Sequence, residues 1–360
     1  MINLHILYDE KSTQSTINTL RKYFSTEENP FLIIGNRYGY DYSEYENVVR
    51  VEENFYGIKE MFRQIKKSDR VHLHGFFYIP LIFAIALSKK LGQKCNWIMW
   101  GQDLYNLVNK PTSFPLAVLR IIRKQATKNI RYITTNVEGD YELLKKVMNK
   151  EYKFFKVRFA PFAIDGVWEK VSESNGEITE KNKTINILLG NSATYSNCHL
   201  EALDILSKYK EENMKIYIPL SYGDKKYGNQ VSNKAKEIFG DKAVPMFEFL
   251  EREKYFQLLS NIDIVVFAHN RQQAVGNIVP LLYAGKKIYI RSDISTWPCI
   301  KEEYKLDVRD YCTISEESFD DFKLNSVDLK QQQMLCEQMV DEDMFVKTYR
   351  KVLEDDEKVI

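Results

Sequence analysis

The 360-residue sequence predicts an α/β protein made of two Rossmann-like halves, each a parallel sheet covered by helices on both faces. Three observations carry that expectation. Short β-branched and aromatic runs alternate with helical patterns; the alternation stops at a polar stretch near mid-chain and then restarts; and the length suits about two domains of roughly 100–200 residues.

Taken in order, the runs at 2–8, 31–35, 70–74, 95–100, 131–135 and 155–160 read as strands, and 79–90, 115–128 and 138–149 as helices between some of them. Residues 169–184 contain Ser-Glu-Ser-Asn-Gly with no apolar periodicity and read as a linker. Strands are then expected at 185–190, 215–220, 244–248, 262–268 and 286–291, with helices at 197–209, 230–239, 251–260 and 276–284. The predicted organisation is therefore a domain over 1–168, the linker, a second domain over 185–300, and a tail over 301–360. The tail includes a helix at 330–353 and is placed to pack back on the first domain.

Composition narrows the function. With 44% hydrophobic and 28% charged residues the chain can bury a large core, which excludes disordered and fibrous classes. A formal charge of +1 gives no support to nucleic-acid binding. That balance hides an asymmetry, since 301–360 holds 17 acids against 9 bases. Five scattered cysteines (Cys95, Cys198, Cys299, Cys312, Cys336) with no C-x-x-C spacing read as reduced thiols. The first ten residues lack the basic and small-residue features of a signal peptide, and the longest uncharged apolar stretch, 76–87, is short of the roughly 20 residues a spanning helix needs. A cytoplasmic location with peripheral membrane contact is expected.

In such sheets ligands bind beyond the carboxyl ends of the strands, so the residues there are the candidate site. Leu189 leads into Gly190, Asn191 and Ser192, a turn whose backbone N–H groups can hold a pyrophosphate; an ordinary βα turn reads the same way, and no G-x-G-x-x-G or Walker pattern is present. Ser221, Tyr222 and Gly223 end the next strand and would line the same crevice, or simply form a turn with a packing tyrosine. Arg271, Gln272 and Gln273, followed by Gly276 and Asn277 at a helix start, are more informative, because arginine can clamp phosphate oxygens and the helix N-terminus adds partial positive charge. In the first half His72 and His74 share a strand face before Gly75, and His74, at the strand end, is the candidate base. Asp103 in Trp100-Gly101-Gln102-Asp103-Leu104-Tyr105 is either a base that takes a proton from an attacking hydroxyl or a helix cap.

Between Leu104 and Val137 there is no acid, whereas Lys110, Arg120, Arg123, Lys124, Lys128 and Arg131 are interleaved with apolar residues. Such a segment can lie on anionic lipid, with Arg120, Arg123, Lys124 and Lys128 facing the membrane, or it can pack on the sheet with a solvated basic side. The only D-x-D carboxylate pair is Asp341-Glu342-Asp343 in the tail, where a solvated helix face accounts for it, so no metal site is expected.

Together, His74-Gly75, the Trp100 to Tyr105 block, Leu189 to Ser192, the Pro219 to Gly223 run, Arg271-Gln-Gln-x-x-Gly276 and Ala284-Gly285 resemble glycosyltransferase family 56, the bacterial TDP-N-acetylfucosamine:lipid II N-acetylfucosaminyltransferases, over roughly residues 1–300. The resemblance implies a GT-B architecture, with two Rossmann-like domains facing across a cleft, nucleotide donor in the second and acceptor in the first. It implies transfer of a deoxyamino sugar from a dTDP donor to an undecaprenyl-diphosphate-linked saccharide, with the nucleotide sugar as substrate and no separate cofactor. Stabilisation of the departing diphosphate would fall to helix dipole, backbone N–H groups and Arg271 without metal. Rival readings are a sugar-nucleotide epimerase of the same architecture and a non-catalytic subunit that places a partner on the membrane.

Overall fold

The computed structural model describes residues 1–160 and 184–355. The chain divides into two compact units, Met1–Phe162 with Val340–Ile360, and Ala163–Met339. The linker expected at 169–184 lies outside the described residues apart from Thr184.

The first unit holds seven parallel strands: β1 (Asn3–Tyr8), β2 (Phe31–Ile34), β3 (Val48–Val51), β4 (Arg70–His74), β5 (Cys95–Ile98), β6 (Tyr132–Thr135) and β7 (Lys153–Lys156). They are ordered β3-β2-β1-β4-β5-β6-β7. Helices α1 (Thr13–Tyr23), α2 (Phe55–Lys67), α3 (Ile79–Leu87), α4 (Lys89–Lys94), α5 (Gln102–Val108), α6 (Phe114–Asn129) and α7 (Glu138–Met148) connect them. Strand order reverses between β1 and β4, so the carboxyl ends of these two strands open the crevice. The sequence reading has no counterpart for β3, α1, α2 or α5. Strand β3 is half-buried and carries Arg50, while α2 follows a cap in which the Asn54 side chain accepts from Gly57 N at 3.0 Å.

The second unit repeats the order of the first with six parallel strands: β8 (Ile185–Leu189), β9 (Met214–Pro219), β10 (Ala243–Met246), β11 (Ile264–Phe267), β12 (Lys287–Ile290) and β13 (Arg309–Asp310), arranged β10-β9-β8-β11-β12-β13. Its helices are α8 (His199–Leu206), α9 (Lys225–Phe239), α10 (Arg252–Ser260), α11 (Val275–Tyr283), α12 (Phe319–Lys323) and α13 (Leu329–Met339). The reversal here lies between β8 and β11.

The tail differs from expectation. The single helix anticipated at 330–353 is two, α13 and α14 (Glu342–Leu353), because the Asp341 carboxylate accepts from Met344 N at 2.7 Å and starts a new helix. Asp341-Glu342-Asp343 is thus a helix start, with Glu342 and Asp343 in the first turn, where carboxylates meet the positive end of the helix dipole. Residues up to Met339 group with the second unit and those from Val340 with the first.

Helix α14 covers one face of the first sheet. By period two, Leu4 and Ile6 join the core under α2 to α7, while Leu7 joins Phe31, Ile33, Phe345, Tyr349 and Val352 on the opposite face. That second face also carries a polar row, buried under α14. Asn96 Nδ2 donates to His72 Nδ1 at 3.0 Å, which leaves His72 Nε2–H to donate to Asn3 Oδ1 at 3.3 Å, and Thr134 Oγ1 donates to Asn96 Oδ1 at 3.0 Å. Asn3 Nδ2 donates to Leu353 O, and Asp355 pairs with Arg70 at 3.2 Å and with Lys153. One acid of the tail therefore neutralises two cations of the sheet.

Candidate functional site

In the second unit the reversal between β8 and β11 is filled by one hydrogen-bonded network. Gly190 (φ +68°) ends β8 and is required there, since a Cβ would stand 2.3 Å from His199 Nε2 and 2.7 Å from Asn197 Oδ1. The turn that follows folds onto Asn197, whose Oδ1 accepts from Asn191 N at 2.8 Å and lies 3.0 Å from His269 Nε2. Asn197 Nδ2 donates to Thr194 Oγ1 at 2.7 Å and to Ser192 Oγ at 3.2 Å. From β11, Gln273 crosses to the same turn: its Nε2 donates to Asn191 Oδ1 at 2.9 Å and its Oε1 accepts from Ser196 Oγ at 2.7 Å. The Gly190–Ser192 and Arg271–Gln273 blocks, eighty residues apart in sequence, are thus one structure.

Arg271 is buried and its guanidinium donates to Gln272 O at 2.9 Å, while Gln272 Oε1 is buried without a hydrogen-bond partner. Helix α11 begins after Ala274 in the left-handed region (φ 60°). At Gly276 an added Cβ would meet nothing within 4 Å, so the chain itself does not need glycine there and the first turn opens onto free space. The N–H groups of a first helical turn lack intrahelical acceptors, which suits this one to an anion. Asn277 lies in the same turn but its N–H already donates to Ala274 O at 2.8 Å.

The end of β9 approaches from the other side. Ala193 N donates to Tyr222 O at 2.8 Å and Asp224 N to Ala193 O at 2.8 Å, so closely that a Cβ on Gly223 (φ +115°) would stand 2.4 Å from Ala193 O. Ser221 is half-buried at this turn, and Tyr222 is exposed, as is Tyr195 on the facing turn. Asn197, Ser196, Thr194 and His199 are site residues that the sequence reading missed. Their signal was the polar-rich stretch from Asn191 to His199, interrupted by Ala193 and Cys198, after the glycine that follows β8.

His269 and His199 are buried, and desolvation lowers their pKa values to about 3 and about 4, so both are neutral near pH 7.

The first unit departs from expectation at both proposed bases. His74 ends β4, but it is 4% exposed and its Nε2 lies 3.0 Å from His5 Nδ1. His5 in turn stacks on His72, with ring centroids 4.8 Å apart. Burial holds His72 and His74 well below the usual imidazole range and lowers His5 to about 3. This is an internal histidine cluster and no base open at a strand end.

Asp103 is 1% exposed and its carboxylate is fully engaged. Oδ2 accepts from Phe76 N at 3.0 Å and Trp97 Nε1 at 2.5 Å, and Oδ1 from Trp100 N and Leu104 N at 3.1 Å each. Burial raises its pKa, and these donors oppose that shift. Asp103 therefore ties the turn after β4, where Gly75 has φ +82°, to the turn after β5, where Gly101 has φ +87°. A base needs a lone pair facing its substrate, and Asp103 has its oxygens committed to the chain.

Helix α6 also turns differently. Arg123, expected on a membrane face, is 9% exposed and lies in the field of Asp103 and Tyr8, with its Nε buried and without a hydrogen-bond partner. Arg120 caps α5, donating from Nε to Leu107 O at 2.8 Å. Neither is left facing solvent, Arg120 because it reaches α5 and Arg123 because it is buried. Lys124 is half-buried and Lys128 is exposed. Among the described residues no group of three or more His, Cys, Asp or Glu side chains is placed to hold a metal ion.

A family model described as 4-alpha-L-fucosyltransferase, glycosyl transferase group 56, matches residues 43–337, well over half of the chain and parts of both units. Among solved structures, Anabaena Alr3699/HepE in complex with UDP-glucose superposes with a TM-score of 0.67 at 10% identity, covering 99% of this chain and 100% of that one. A glycosyltransferase from Rickettsia africae ESF-5 gives 0.63 at 14% identity and 98% of each chain. An α,α-trehalose-phosphate synthase (UDP-forming) from Burkholderia vietnamiensis gives 0.61 at 8% identity, covering 98% and 100%. At such identities the likeness establishes the fold, which is the GT-B type.

Proposed function

Because the chain belongs to glycosyltransferase group 56 and is a glycosyltransferase, we propose that it moves a deoxyamino sugar, N-acetylfucosamine (Fuc4NAc), from a dTDP donor to an undecaprenyl-diphosphate-linked saccharide. The reaction would take place at the cytoplasmic face of the inner membrane in surface polysaccharide synthesis, as in enterobacterial common antigen or O-antigen. The observation that carries the donor half is the network at the β8–β11 reversal beside the open first turn of α11.

In this reading the first turn of α11 and Arg271 hold the donor diphosphate and stabilise the charge that develops as the glycosidic C–O bond breaks. Gln272, whose buried Oε1 has no partner in the chain, and Asn277 face the sugar. Tyr222 and Ser221 take the nucleoside, with the exposed phenol ring as a stacking surface. Gln273, Asn191, Ser192, Gly190 and Gly223 position these groups by holding the two turns together. No metal is needed for this division of labour. In the first unit Asp103 is a positioning residue that fixes the loops after β4 and β5, and Arg123 supplies a buried cation beside them for an anionic acceptor.

The test is a thermal-shift screen of dTDP-, UDP- and GDP-sugars on the full chain, followed by transfer from the best binder with and without EDTA. A true donor binds the native state preferentially and raises Tm. Stabilisation by dTDP-Fuc4NAc with transfer that survives EDTA supports the reading. Stabilisation by a UDP- or GDP-sugar alone refutes the donor assignment, and conversion of the donor to an isomer without acceptor would favour an epimerase.

A further inference from the structure

Helices α3 and α6 turn apolar side chains to solvent, uncovered by the other described residues. On α3 these are Ile79, Phe83 and Leu87, spaced i, i+4, i+8, with Leu87 87% exposed. The other side of α3 is the core side, with Leu81, Ile82 and Ile85 buried, and the helix has no charged residue. On α6 the exposed apolar positions Phe114, Val118 and Ile121 are spaced i, i+4, i+7, with Phe114 at 81% and Ile121 at 68%, and Leu116 is exposed on another side of the helix.

The two helices pack along each other. Asn129, at the end of α6, donates from Nδ2 to Ile85 O at 2.8 Å and Ala86 O at 3.1 Å, so the carboxyl ends lie together and the helices run the same way. Each of the two packed helices thus carries a row of exposed apolar side chains, and the two rows are here called the ridge. An exposed apolar surface of this kind marks an interaction site.

Charge identifies the occupant. From Arg70 to Val137 the only acid is Asp103, and it is buried. Exposed Lys89 and Lys90 follow Leu87 after Ser88, and exposed Lys128 lies in the last turn of α6, where its carbonyl accepts from Lys150 Nζ at 2.6 Å. The ridge thus ends in cations with no acid of the same segment to offset them. A second copy docked by two-fold symmetry would set like charges against each other. An anionic bilayer offers both an apolar interior and negative headgroups.

We propose that this ridge is the membrane-docking surface, with Phe83, Leu87, Phe114 and Ile121 entering the acyl boundary and Lys89, Lys90 and Lys128 lying among the lipid phosphates. The inference deepens the reading above, since it rests on an acceptor carried by a membrane lipid. It also replaces the docking mode expected from sequence, because Arg120 and Arg123 face inward.

The test uses the full chain in co-sedimentation with vesicles of phosphatidylcholine containing about one-third phosphatidylglycerol. A Phe83→Ser/Phe114→Ser/Ile121→Ser variant is expected to bind at least about tenfold more weakly, since each lost apolar group weakens insertion, with its unfolding midpoint unchanged. A Lys89→Glu/Lys90→Glu/Lys128→Glu variant is expected to lose the salt-sensitive share of binding. Equal vesicle binding by the serine variant and the wild type overturns the proposal. So does a wild-type dimer that the serine variant dissociates, with no vesicle binding by either. Transfer to a short-chain, water-soluble acceptor separates the two readings: its absence in the wild type counts against the transfer reaction, while the vesicle result still decides the ridge.

Discussion

Lowering the pH from 7.5 to 5.5 is expected to destabilise both units, because all five histidines of the chain (His5, His72, His74, His199 and His269) are buried with depressed pKa values. In the unfolded chain each titrates near 6.5. Below that pH the unfolded state binds protons that the native state refuses, so stability falls as pH falls, and continues to fall until the native pKa is reached, about 3 for His5 and His269 and about 4 for His199. Integrated over this window, each histidine whose native pKa lies well below the window contributes a loss on the order of 1 kcal/mol. The three in the first unit and the two in the second therefore cost each unit roughly a few kcal/mol, a large share of the roughly 5–15 kcal/mol that holds a domain folded. Asp103, with its pKa raised, works in the opposite direction: its share favours the native state at lower pH and so offsets part of the loss in the first unit. Carboxylates with lowered values, such as Glu60 and Asp293, titrate below the window. The assay is urea unfolding across the pH series, with native imidazole resonances followed by NMR. A His72→Asn variant should remove about one-third of the first unit's histidine-linked slope. An unfolding midpoint that stays flat from pH 7.5 to 5.5, or imidazoles that titrate near 6.5 in the native protein, would refute the reasoning.

Three further outcomes follow from the same geometry. Asp103→Asn keeps one oxygen but turns an NH2 group toward two of the four donors; at about 1–3 kcal/mol for each buried donor left unpaired, calorimetry should show a loss of about 2–6 kcal/mol in the first unit, and an unchanged Tm with a slowed reaction would instead support a base. Gly276→Ala should leave Tm unchanged or slightly raised, because the new methyl group meets nothing in the chain, yet weaken donor binding about tenfold in calorimetry if a ligand approaches that turn; unchanged affinity would move the diphosphate elsewhere. Gly190→Ala should lose both fold and binding, since its Cβ would collide with His199 and Asn197 at a backbone conformation that favours glycine; a stable variant with normal donor affinity would contradict the network.

Much of the architecture was legible before any coordinates. Strands such as Ile264–Phe267 are continuous apolar runs because both faces of a parallel sheet are covered, and residues that end them are polar because they meet solvent or ligand. The α/β class, most strands, and the Gly190–Ser192 and Arg271–Gln273 blocks follow from that local logic, and Gly190 and Gly223 are dictated by close backbone approach.

Which way a side chain points is a different matter, since it depends on neighbours distant in sequence. His74 and Asp103 look like strand-end catalysts in one dimension, but His5 from β1 and the Phe76, Trp97 and Trp100 donors consume them. Arg120 and Arg123 look like a membrane face, but α5 and the sheet ends claim them and leave Phe114, Val118 and Ile121 outside. The acidic tail, unexplained by composition, is partly accounted for by Asp355 meeting Arg70 and Lys153. Periodicity and glycine stereochemistry are local, so the fold class and the strand ends can be read along the chain. Burial and hydrogen-bond partners come from elements far away in the chain, so only folding settles which of the polar residues at those ends are open to a ligand.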